Sequence, residues 1–398
     1  MPITKITYGY KDVSIVPAEI SYVKSRSECN PFTVTTEGLY SGLPIFTAPM
    51  ASVVSDENID EFANNGIMFI IPRNIRFEKR YSSMMLNRWV ALSLKEFTDL
   101  FCIEANIKKE RDFNKGDFNV CIDVANGHMA QIYDACKLAK KLARKYDYRL
   151  TIMTGNIANP KTYDWIRRLN NGYREKYKRD ENVVDYIRIG IGGGSGCLTS
   201  SRVAIHYGQA SLLDECNKIK REHNGHCCPY IIADGGIRDF SDVVKALALG
   251  ADSVMIGSVF AQMIESAGEK ILTPNLLTSN PLPSRNIEDY TDFDYDDKRN
   301  EWTVTHTNGT KYDVEIDVKF FGMASGDGQR SICGEKTKVS EGLTKMLPVN
   351  FTLPKWTNIM VGCLRSAMSY CNSYTLSDFI GRQELVLESI NEINAINK

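Results

Sequence analysis

The chain has 398 residues, 43% hydrophobic and 24% charged, with 48 basic against 49 acidic side chains. That ordinary globular composition excludes a disordered, collagen-like or coiled-coil protein. A formal net charge of −1 gives no basic surplus to hold a polyanion, so nucleic acid is not an expected partner. The opening MPITKITYGYKDVSIVP has no apolar stretch of secretory length, and no run of about 18 apolar residues occurs, which predicts a cytoplasmic protein with no membrane partner. Eleven cysteines, an odd number without paired metal spacing, are expected to be reduced. Cys227 and Cys228 follow His223 and His226, but no second Cys/His pair stands at zinc-site distance, so no metal site is expected there.

Eight short apolar runs recur along the chain: 45–48, 67–71, 89–94, 119–124, 150–154, 186–190, 230–233 and 253–256. They are rich in β-branched residues and continuous, as expected of parallel strands buried on both faces. Amphipathic stretches lie between most of them. Over 129–145, Ile132, Cys136, Leu138, Ala139 and Leu142 are expected on one buried face, and over 239–249, Val243, Val244 and Leu247 on another. Eight β-α units predict an α/β fold, a (β/α)8 barrel, and the Gly, Asn or Asp following several strands favours closure over an open doubly wound sheet. The rhythm breaks between about 268 and 355. There a Pro-rich coil precedes EDYTDFDYDD, read as a solvated acidic loop, and then Asn308-Gly309 stands before alternating Val314, Ile316, Val318 and Phe320, a hairpin signal. A last helix over 357–371 is expected to return to the barrel. The whole chain, 1–398, is read as one barrel domain with a flap and hairpin insertion over 268–355.

The densest chemical feature is Gly190-Ile191-Gly192-Gly193-Gly194-Ser195-Gly196-Cys197, followed by Leu198, Thr199 and Ser200, leaving the sixth strand. Ser195 occupies the third glycine position of a dinucleotide fingerprint, which makes that reading poor. A glycine loop that exposes backbone N–H groups to anions and ends in a thiol fits better, with Cys197 free to attack an electrophile. Asp234-Gly235-Gly236 after strand seven and Gly257-Ser258 after strand eight carry glycine where barrels hold phosphate on backbone amides, and a carboxylate there can take a ribose diol.

These motifs carry a resemblance. YGYKDVSIVPA (Tyr8 to Ala18), APM (Ala48 to Met50), Cys197, ADGGIRD, MIGS, FGMAS (Phe321 to Ser325), Ser340-Glu341-Gly342 and GCLRSAMSY (Gly362 to Tyr370) resemble the IMP dehydrogenase and GMP reductase family in order and spacing. The likeness runs over nearly the whole chain except an insertion around 273–305. It implies a purine nucleoside monophosphate attacked at C2 by Cys197 and a nicotinamide stacked for hydride transfer. Asp234 would hold the ribose; Ser195, Gly236, Gly257 and Ser258 the phosphate; Gly322, Met323 and Glu341 the base, with Gly235, Ser340 and Gly342 also binding the substrate. Thr199 and Glu341 would move the proton.

CIDVANGH (Cys121 to His128) and IMTGNI resemble the reductase form, placing Asp123, Val124, Ala125 and Asn126, with Arg73, Ile191, Gly192, Ser366 and Ser369, beside NADPH. No CBS modules fit between Lys79 and Asp117, and positions 326–340 lack the Arg-Tyr pair that activates water in the dehydrogenase. The resemblance therefore points to an NADPH-dependent GMP reductase, assembled as a homotetramer. It leaves open K+ on the carbonyls of Gly192, Gly194 and Cys197. Departures are Leu198-Thr199-Ser200 for Thr-Thr-Arg and Ala324-Ser325-Gly326 for Ser-Ser-Glu. The alternatives are an IMP dehydrogenase without CBS modules using NAD, an enzyme of a modified purine nucleotide, and an idle nucleotide-binding relative.

Overall fold

The structure, a computed structural model, describes residues 5–34, 41–109, 116–274, 282–296, 298–299, 301–334, 340 and 342–389. Strands Ile45–Thr47 (β1), Ile70–Ile71 (β2), Trp89–Leu92 (β3), Asp117–Ile122 (β4), Arg149–Ile157 (β5), Tyr186–Ile189 (β6), Tyr230–Asp234 (β7) and Ser253–Ile256 (β8) form one eight-stranded sheet. β8 pairs with β1 in parallel from Val254↔Ile45 to Ile256↔Thr47. The seam between β1 and β2 is bridged at Phe46↔Met68, where the Thr47 N–H donates to the Met68 carbonyl at 2.8 Å. The sheet is thereby closed and, alternating with helices, makes a (β/α)8 barrel.

Helices Ile59–Asn64 (α1), Phe77–Met85 (α2), Leu94–Phe101 (α3), Ala130–Lys145 (α4), Pro160–Tyr177 (α5), Gln209–Glu222 (α6), Phe240–Ala248 (α7) and Leu353–Tyr370 (α8) lie around it. Local sequence sets their starts: Asn159 caps α5 ahead of Pro160, Asp239 caps α7, and Ser93 with Glu96 forms a capping box on α3. On α4 the buried face is Ile132, Tyr133, Cys136, Ala139, Leu142 and Ala143. Leu138, expected on that face, is 42% exposed, because it lies two residues, about 200°, from Cys136 around the helix.

The barrel interior is apolar at one end and charged at the other. Phe46, Ile70, Ala91, Cys121, Met153, Ile232 and Met255 fill it. Trp89 and Tyr186, the first residues of β3 and β6, close the N-terminal end edge to face, 5.4 Å between ring centroids. The C-terminal end is left to polar groups.

After β8 the chain forms a separate antiparallel sheet from Lys270–Pro274 (β9), Tyr290–Asp296 (β10), Glu301–His306 (β11), Lys311–Phe321 (β12) and Thr344–Pro348 (β13). β12 pairs with β9 along one edge and with β11 and then β13 along the other. The hairpin at Asn308-Gly309 is present. The acidic stretch, expected as a loop, is instead the edge strand β10. Its register slips between Thr291 and Asp294, with Asp292 at φ 50°. That bulge turns Phe293 and Tyr295, after Tyr290, onto the insertion's own core and leaves Asp292 and Asp294 exposed. Charge and a bulge on an edge strand are the usual guards against pairing with another sheet. Among the described residues no helix is long and apolar enough to cross a membrane.

Candidate active site

The glycine loop leaves β6 and ends at Cys197. Its N–H donates to the Gly194 carbonyl at 3.0 Å, fixing a tight turn. The thiol donates to Oγ1 of Thr199 at 3.1 Å, and the Thr199 N–H reaches back to Sγ at 3.5 Å. Thr199 is the first residue of a short helix, Thr199–Val203, whose N-cap is Leu198. It does not cap that helix, and its hydroxyl stands beside the thiol. Gly192 and Gly194 offer carbonyls that already accept from the Ser200 hydroxyl and from Cys197.

A cavity of about 220 Å³ opens in front of this thiol. Of the residues expected to hold a nucleotide, Ser195, Asp234, Gly235, Gly236, Gly257, Ser258, Gly322 and Met323 line it, together with Gly194, Cys197 and Asp123. Gly235 and Gly236 have φ of +91° and +81°, a backbone that glycine adopts at little cost and that turns the loop after β7 toward the cavity. Oγ of Ser195 is buried with no hydrogen-bond partner among the described residues. A buried hydroxyl left unpaired costs roughly 1–3 kcal/mol, so the site is arranged for a ligand that pairs with it.

Beneath the cavity lies a charged layer in which Asp123 and Asp234, both marked by the sequence motifs, are joined by an arginine that those motifs had not marked. Arg188, the charged residue in the apolar strand β6, is 8% exposed. Its Nε donates to Asp234 at 2.8 Å and its Nη1 to Asp123 at 3.1 Å. Burial pulls its pKa down, but the charges on Asp234 and Asp123 outweigh this and hold it above the ordinary guanidinium value. Asn156, at the end of β5, donates to Asp234 at 2.7 Å and to the Gly190 carbonyl at 2.9 Å. Arg73, after β2, adds a longer bond to the Asp123 carbonyl, 3.3 Å. A charge inside a strand expected to be buried on both faces was the available signal for Arg188: an arginine there needs partners.

The remaining candidates divide. Gly342 forms an isolated antiparallel bridge with Cys197, and Ser340 is close by, its hydroxyl donating to the Gly342 carbonyl at 2.8 Å. Glu341 lies outside the described residues. Ser325 is not turned to the cavity: its Oγ accepts from Gly328 and caps the helix Gly326–Cys333. Val124 is half-buried and Ala125 and Asn126 are exposed, on the rim next to Asp123. Ile191 and Gly192 are half-buried, with the Ile191 carbonyl bonded to His206 at 2.8 Å.

Ser366 and Ser369 are not brought to this cavity. They sit near the end of α8, whose first residue, Leu353, donates to Glu265 and whose last, Tyr370, accepts from Ala18. At 1.5 Å per residue Ser366 is about 20 Å along a helix that runs from the catalytic face to the opposite one.

Residues 7–277 match the family model described as the IMP dehydrogenase / GMP reductase domain. The chain belongs to that family of oxidoreductases. Among curated proteins it is similar to a GMP reductase of Pediococcus pentosaceus, 30% identical over 66% of this chain and 73% of that protein. It is also similar to a GMP reductase of Shewanella pealeana, 26% identical over 98% of this chain and 97% of that one.

The charged layer yields a prediction. Arg188→Met keeps the apolar stem but strips Asp123 and Asp234 of their common partner, so urea unfolding is expected to show a loss of about 3–5 kcal/mol. Adding Asp123→Asn should recover part of it, as a double-mutant cycle would record.

Proposed function

We propose that the protein is a GMP reductase in which GMP, NADPH and two protons give IMP, ammonium and NADP+. The observation that carries this reading is the hydrogen-bonded pair Cys197–Thr199 facing a cavity flanked by the loops after β7 and β8. Sulfur adds to C2 of the purine, and the 2-amino group leaves as ammonia once protonated. Hydride then arrives at C2, and the carbon–sulfur bond breaks to return the thiolate. Thr199, with Glu341, is assigned to the proton that the leaving amine needs. Asp234 is assigned to the ribose, and Ser195, Gly235, Gly236, Gly257 and Ser258 to the phosphate.

The nicotinamide cofactor, when bound, supplies the hydride. Nε of Arg73 and Oδ1 of Asn74 are buried without hydrogen-bond partners among the described residues, beside the rim formed by residues 123–126. These residues fit a polar ligand, and Arg73 with Asp123, Val124, Ala125 and Asn126 would hold the cofactor. The missing Arg-Tyr pair in positions 326–340 favours reductive deamination over hydration. The reading puts the enzyme in the cytoplasm, where its eleven free cysteines stay reduced. The deciding assay follows nicotinamide absorbance with GMP plus NADPH and, separately, IMP plus NAD. Oxidation in the first and silence in the second are expected; the reverse result makes it a dehydrogenase.

Cys197→Ala should abolish turnover while nucleotide still binds, since most of its ligands come from other loops. In the intact protein, burial pushes the Cys102 and Cys121 thiols up to about 11 and about 12, so alkylation should spare them. Cys333 is exposed and will also label. GMP is expected to protect Cys197 and leave Cys333 reactive, as peptide mass mapping would record; equal protection of both, or of neither, counts against the assignment.

Ser366 and Ser369 can serve a cofactor site only on a second copy, given their place on α8. We assign an oligomer on that ground and, from the resemblance to the family, a homotetramer, closed symmetric oligomers being common among soluble enzymes. Light scattering should give four subunits, and a fully active monomer would overturn it.

A further inference from the structure

The insertion sheet has no part in the barrel, yet both limbs of the flap grow from it. β12 ends at Phe321, directly before Gly322 and Met323, and β13 begins at Thr344, directly after Gly342 and Leu343. The two strands are paired to their last residues, Phe321 opposite Thr344, and the ladder continues into the flap, where the Gly322 N–H donates to the Leu343 carbonyl at 3.1 Å. One further bond ties this ladder to the nucleophile loop: the Leu343 N–H donates to the Gly196 carbonyl at 3.0 Å, beside the bridge between Cys197 and Gly342.

The approach is close enough to forbid side chains. A Cβ on Gly322 would stand 2.5 Å from the Gly196 oxygen, one on Gly342 2.6 Å from the Ser325 nitrogen, and one on Gly196 3.0 Å from the Phe320 ring. Three backbones meet where only hydrogens fit, so a small shift of β12 against β13 moves the residues flanking Cys197.

What fixes those strands is Trp302. It lies on β11, opposite Val314 of β12, and is 1% exposed. Its indole Nε1 donates to the Val349 carbonyl at 2.6 Å, one residue past the end of β13. The ring packs 5.0 Å from that of Tyr295, within a core of its own that includes Leu272, Val304, Val314, Ile316 and Val318. Trp302 thus joins β11 to the end of β13, two strands that follow one another along the same edge of the strand carrying the first limb.

We propose that the insertion sheet is the mount that holds the flap against the Cys197 loop, with Trp302 as its positioning residue. The inference rests on Cys197 being the nucleophile, and it gives the insertion a role in turnover although none of its β9–β11 residues lines the cavity.

The test uses the full chain carrying Trp302→Ala and Trp302→Phe. In Trp302→Ala, kcat with GMP and NADPH should fall on the order of tenfold. The alkylation rate of Cys197 should rise severalfold as its loop loses the flap's cover. Trp302→Phe keeps an aromatic ring in this core and loses the bond to Val349 with part of the indole's volume, so it should restore most of both. A folded Trp302→Ala protein with wild-type kcat and wild-type Cys197 alkylation overturns the proposal. If Trp302→Ala does not fold, Val304→Ala, which trims the same core and leaves the indole bond, decides it by the same two measurements. The alkylation arm needs no turnover, so it separates a failure of this inference from a failure of the reductase reading.

Discussion

The guanidinium of Arg188 between Asp123 and Asp234 is the constraint on which the site depends. It joins the C-terminal ends of β4, β6 and β7 by bonds of 3.1 Å and 2.8 Å, while Asn156 adds β5 to the same carboxylate. A buried arginine is tolerable only when its donors find acceptors, and here each carboxylate it engages has further work at the surface of the layer. Asp234 faces the cavity with an oxygen still able to receive a ligand, and Asp123 stands between that cavity and the rim at Asn126. One cation thereby orders both halves of the mouth.

Below the charged layer, packing does the holding. The interior from Phe46 to Met255 is apolar and closed at the far end by Trp89 and Tyr186, so polar chemistry is confined to one end of the barrel. Above it, loop geometry decides. The turn that ends at Cys197 is tied to its own Gly194, and the thiol is held next to Thr199 because two residues of one loop cannot separate far. The flap depends on distant pairing, since its two limbs are extensions of adjacent antiparallel strands that meet the cysteine loop through backbone contacts at Gly196 and Cys197.

The strands of the barrel were legible because burial on both faces writes continuous apolar runs, and Ser253–Ile256 matches its run without change. The glycine loops were legible as well, since backbone at positive φ, as at Gly235 and Gly236, leaves its mark in composition. The hairpin at Asn308-Gly309 was legible from turn chemistry. Where reading by pattern failed, the cause was a local irregularity or a residue out of phase with its helix face. The bulge at Asp292 made a strand of an acidic segment whose alternation is broken by one residue. Leu138 looked apolar enough to be buried, but helical phase put it outside.

The sequence by itself determined the barrel, the thiol at the end of its glycine loop and the loops after β7 and β8, because each depends on a periodicity or a backbone requirement confined to a few consecutive residues. Only the tertiary structure decided that Arg188 and Asn156 converge on Asp234 and that Ser366 and Ser369 lie far from the chain's own site. Those facts turn on contacts between residues tens of positions apart, or on the direction in which a rigid helix travels, and side-chain patterns along one segment carry no record of either.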